Sequence, residues 1–70
     1  MIELTMAITV FWNCEVEWLR GERSPGDMLI CIEIAEQIKR EQFHGDFQKY
    51  LEWWRENLDR EYQLRGYQLN

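Results

Sequence analysis

His44, Cys14, Cys31 and Asp46 are the residues of this chain whose types could hold zinc, and Glu15 with Glu17 could share acid–base work. Spacing argues against both. Only His44 and Asp46 are close in sequence, and the two cysteines fall in apolar stretches, where they act as small core residues. A cysteine nucleophile would need His44 to reach a thiol and a third group to orient it, and nothing nearby supplies one. Glu15 and Glu17 read as the solvated outer face of a strand, which also guards an exposed edge against aggregation. His44 suits the end of a helix, where the dipole favours a cation. No catalytic residue, metal or cofactor is therefore expected.

The aromatic residues carry more information. Four Trp in 70 residues exceed what a small core normally takes. Trp53 and Trp54 are adjacent, so on a helix they lie about 100° apart and cannot both point fully inward. Trp is enriched at protein interfaces, which makes Trp53, with Leu64 beside it on the same helix edge, a candidate contact residue. Thirteen Asp and Glu against eight Lys and Arg give a net charge of −5. Such a surface repels nucleic acid and suits a basic partner.

These residues must be positioned by elements legible in the chain. Apolar residues occupy the even positions Ile2, Leu4, Met6, Ile8, Val10, Trp12, Cys14, Val16 and Trp18, with Phe11 as the odd-numbered exception. A period of two predicts a strand with one buried face. Extended throughout, it would span roughly 55 Å, so it must fold back or pair. A hairpin turning near Phe11-Trp12-Asn13 and one long strand pairing with its twin across a two-fold axis both satisfy the pattern.

After a polar connection, Ser24-Pro25-Gly26-Asp27 predicts a helix start with Ser24 as cap and Pro25 in the first turn. The first helix is expected over 25–43, ended by a left-handed Gly45, and the second over 47–65, capped by Asp46, with a short tail over 66–70. Met28–Ile34 also alternates in part, but the cap chemistry favours helix. The apolar residues of Met28–Ala35 scatter around that helix, which predicts burial on every side. In the second helix Phe47, Tyr50, Leu51, Trp54, Leu58 and Tyr62 form one stripe. Charges at i, i+4 spacing, such as Glu36–Arg40 and Glu61–Arg65, predict exposed pairs.

One alternating strand followed by two helices resembles the layout of ribbon–helix–helix DNA-binding proteins over 2–65. In that family the outward strand residues read base edges. The matching positions here are Glu3, Thr5, Ala7 and Thr9, without Arg or Lys, so no functional residue carries over. The resemblance implies a transcriptional regulator as the alternative function.

The expectation is thus an α+β fold, a single small domain in which an N-terminal β-ribbon or hairpin over 2–19 packs on two antiparallel helices, as a homodimer. Its expected function is that of a non-enzymatic protein-binding subunit, an inhibitor, adaptor or antitoxin-like protein. It would dock on a basic surface of a larger protein through Trp53, Leu64, Glu15, Glu17 and Glu22. The longest uncharged run, Leu4–Cys14, falls short of the ~20 residues a membrane span needs, and no basic region precedes it as in a signal peptide. With two cysteines and no dense framework, thiols are expected reduced in the cytoplasm.

Overall fold

The computed structural model describes residues 2–22 and 24–67. It contains three helices, α1 (Leu4–Leu19), α2 (Pro25–Phe43) and α3 (Phe47–Leu64). Among the described residues there is no strand. The β-ribbon over 2–19 is therefore corrected to a helix, and the fold to an all-helical bundle. The likeness to ribbon–helix–helix proteins lapses with the strand that carried it.

The reason lies in α1 itself. Leu4, Ala7, Ile8, Phe11, Cys14 and Trp18 recur at three- and four-residue spacing, so the same segment satisfies the helical period as well as the period of two. Burial discriminates. Ala7, an odd position, is 0% exposed, while even Met6 is 56% exposed. Phe11, the exception to alternation, is buried, as are Trp12 and Val16 on other sides of the helix. A helix buried on several sides is a central one. It also fits: a 17-residue strand of ~55 Å exceeds the longest dimension of the fold, 32 Å.

Capping sets the helix limits. The Glu3 carboxylate accepts from the Thr5 N–H at 3.1 Å. Ser24 Oγ accepts from the Asp27 N–H at 3.3 Å, and Pro25 stands in the first turn of α2. Asp46 Oδ1 accepts from the Lys49 N–H at 3.1 Å and opens α3. Between α2 and α3, His44 (φ 52°) and Gly45 (φ 81°) both adopt the left-handed region, and the Gly45 N–H returns to the Lys39 carbonyl at 2.8 Å. Glycine suits that backbone because it has no Cβ to clash. Of the expected tail, 68–70 lie outside the described residues, as does Arg23 in the first connection.

The core is aromatic. Phe11, Trp12, Phe43, Tyr50 and Trp53 form a network with ring centroids 5.0–6.2 Å apart, joined by Ile34, Ile38 and Tyr62. Offset and edge-on rings add to what their burial alone contributes. Polar ties close the bundle at the far end of α3. Arg65 donates to Asn13 Oδ1 at 2.6 Å and to Glu61 Oε1 at 2.8 Å, and Arg20 donates to the Arg65 carbonyl at 3.0 Å. Of the expected exposed i, i+4 pairs, Glu61–Arg65 forms but is largely covered, and Glu36 pairs instead with Lys39 at 3.0 Å.

Candidate protein-binding site

Cys14 of α1 and Cys31 of α2 form a disulfide, with Cα atoms 5.9 Å apart. The expectation of reduced thiols is corrected accordingly. The bond pins the N-terminal half of α2 to α1. Leu29 is 65% exposed, and Ile30 and Ile32 are more than half exposed. Helix α2 was expected to be buried all round, yet its N-terminal half meets α1 on one side only. Two other helices cannot surround a third in so small a bundle.

Beside the disulfide lies a cavity of about 180 Å³. Phe11, Trp18 and Tyr50 supply aromatic walls, Met28, Ile32 and Ala35 aliphatic ones, and Glu15 is the single carboxylate among the lining residues. The Tyr62 hydroxyl donates to Glu15 Oε2 at 3.2 Å. Burial raises the Glu15 pKa above its ordinary value, and hydrogen bonds from Tyr62 and Trp54 oppose that rise. Burial, then the charges of Glu15 and Glu36, push Tyr50 up to about 12. Tyr62 is raised further, by burial, by the Glu15 charge and by its own bond to that carboxylate. Both tyrosines are therefore neutral hydrogen-bonding groups at physiological pH.

Trp18 is 52% exposed at the cavity mouth. Leu19 follows it, and Leu29 stands one step around α2 from Met28 and Ile32. Together these residues make an open apolar end of the molecule. The carboxylates nearest in sequence are exposed Glu22 in the connection, Asp27 in the first turn of α2 and exposed Glu33 after Ile32, with exposed Arg20 directly after Leu19.

The residues expected to contact a partner are distributed differently. Trp53 is half-buried and packs on Phe11, Trp12 and Phe43 at centroid distances of 5.5–5.6 Å. Leu64 ends α3 and is exposed. Glu15 and Glu17 would share a face on a strand; two positions on a helix are about 200° apart, so they point to different sides of α1. Glu15 reaches the cavity, Glu17 does not line it, and Glu22 lies in the connection. Trp18, Met28, Leu29 and Ile32 escaped the sequence reading. A signal was present, because Met28–Ile32 is an unbroken apolar run directly after a helix cap, and no single helical stripe can bury such a run.

Among the described residues, no group of three or more His, Cys, Asp or Glu converges to hold a metal ion, and no helix is long and apolar enough to cross a membrane. Set beside models of protein families, curated proteins and solved structures, the chain matches none.

Proposed function

We propose that this chain is a non-enzymatic protein-binding module, an inhibitor, adaptor or antitoxin-like subunit, whose open apolar end docks on a larger protein with a basic surface. One observation carries the reading: Trp18, Met28 and Ile32 line one cavity, and their chain neighbours Leu19 and Leu29 are exposed beside them in sequence. A contiguous apolar patch with a polar border is the ordinary signature of an interface. The net charge of −5 speeds encounter with a basic partner and repels nucleic acid. The docking residues are thus the exposed ones around Trp18, with Glu22 retained from the sequence reading and Trp53 assigned to the core.

Affinity capture from the native host with the wild-type chain and with Leu29→Glu/Ile32→Glu tests this. The wild type is expected to retain a partner that salt releases progressively, and the double variant to lose it. Undiminished capture by the variant overturns the reading.

A second reading is favoured by Ile30, which is 54% exposed and lies about 160° around α2 from Ile32. That side of the helix suits another copy of the chain. A dimer in solution that Ile30→Glu returns to a monomer would establish it, in place of the two-fold strand pairing expected from the ribbon. The disulfide supports work in an oxidising compartment, since the cytoplasm keeps thiols reduced. The cytoplasmic placement rested on free thiols and loses that support.

A further inference from the structure

We propose that the cavity between α1 and α2 is a socket for a lysine side chain carried by the partner protein. The inference rests on the docking role and specifies its anchor. Four features of the site converge on an alkylammonium.

The first is size. The cavity measures about 180 Å³, and one of about 150 Å³ already accepts benzene, so the four-carbon stem and ammonium of lysine fit. The second is the wall. Phe11, Trp18 and Tyr50 surround the space, and aromatic faces attract an ammonium through their negative quadrupole. Met28 and Ile32 at the mouth match the methylene stem. The third is charge. Glu15 lines the cavity, and among the described residues no cation pairs with it. A half-buried carboxylate without a countercharge bears a desolvation cost that an incoming cation offsets.

The fourth is a precedent within the molecule. The Lys39 ammonium already sits 5.0 Å from the centroid of the Tyr50 ring. It is held by Glu36 at 3.0 Å and stays outside the cavity lining. The same ring therefore tolerates a lysine, while among the described residues no cation pairs with Glu15.

Lysine is preferred over arginine because of Tyr62. Its hydroxyl occupies Glu15 Oε2, which leaves no free pair of oxygens for a guanidinium fork. Trp54 donates to the same carboxylate, and a point charge, unlike a fork, needs only to lie near it.

Two-dimensional NMR of the full, oxidised chain tests the socket without the partner. The probes are N-acetyl-lysine-N-methylamide, the capped norleucine of nearly equal shape without charge, and butylammonium chloride. The capped lysine is expected to shift the Trp18 indole and the Ile32 methyl signals saturably, with affinity in the millimolar range appropriate to so few atoms. Norleucine should bind at least tenfold more weakly. Glu15→Gln should abolish that preference, and Trp18→Leu, which leaves the buried core intact, should weaken lysine binding severalfold. Equal binding of lysine and norleucine, or an undiminished preference in Glu15→Gln, overturns the socket. Binding of butylammonium but not of the capped lysine also overturns it, in favour of a free-amine site. If the socket fails while Leu29→Glu/Ile32→Glu still abolishes capture, the docking role stands without this anchor. If the capped lysine binds but capture fails, the docking role is the part that falls.

Discussion

The two halves of α2 face opposite circumstances. From Ile34 onward the helix buries Ile34, Gln37 and Ile38 against α1 and α3, and turns Glu36 and Arg40 to solvent. Before Ile34 it is almost wholly apolar and largely exposed, held by a disulfide. The half richer in apolar residues is the less buried one. Apolar density therefore reports what a segment is able to bury, and the neighbours decide whether it does. Where the molecule supplies no neighbour, that surface is available to another molecule.

Truncation measures the contrast most directly. Ile38 is 0% exposed, and Ile38→Ala should cost about 2–5 kcal/mol. Leu29→Ala in the other half should change stability by less than about 0.5 kcal/mol. Denaturant unfolding of both variants checks this, and similar losses would erase the distinction between the halves.

Removing the staple comes next. Cys14→Ser/Cys31→Ser should lose about 2–4 kcal/mol, the usual worth of closing a loop of this length. For a domain of this size each kcal/mol lowers Tm by roughly 4–8 °C. Hydrogen exchange should accelerate most over 27–33 and least over 34–43; a uniform acceleration would count against the asymmetry.

Arg65 provides a control away from α2. Its bonds to Asn13 and Glu61 tie α1 to α3, and Arg65→Ala should cost about 1 kcal/mol while leaving exchange over 27–33 unchanged in pattern. A selective loss of protection there would mean that the two ends are coupled.

The smallest effect concerns pH. The folded Glu15 pKa lies above its ordinary 4.5, so the folded chain binds that proton more tightly than the unfolded chain does. The associated stability is complete below 4.5 and is lost as pH rises through the folded value. Comparing unfolding of the wild type and Glu15→Gln from pH 4 to 8 should isolate this slope. The variant, which retains an acceptor for Tyr62, should be slightly more stable at neutral pH. A less stable variant would mean that the carboxylate is not a burden in the folded chain.

How much of this was legible depended on the kind of signal. Ser24-Pro25 and Asp46 mark helix starts by local chemistry, since a side-chain oxygen must satisfy a nearby N–H, and both caps are found in place. Helix α1 has no comparable marker. Its opening cap is Glu3, an unusual residue for that position, and its β-branched residues lean towards strand only as a weak preference. With apolar residues on nearly every side, both periods fit, and tertiary packing chose. Phe11 and Ala7 held the answer, because Phe11, which broke the alternation, and Ala7, a small residue on the expected outer face, are both buried. The cavity was illegible for a related reason: its lining joins Glu15 of α1, Met28 and Ile32 of α2 and Tyr50 of α3, and only a correct α1 brings them together.

The Cys14–Cys31 bond has one more consequence. It encloses the exposed Arg20–Gly21 peptide within a covalent ring. A protease cutting after Arg20 would open the backbone without releasing either piece. The nicked molecule would migrate as one species until a reductant separated it into two.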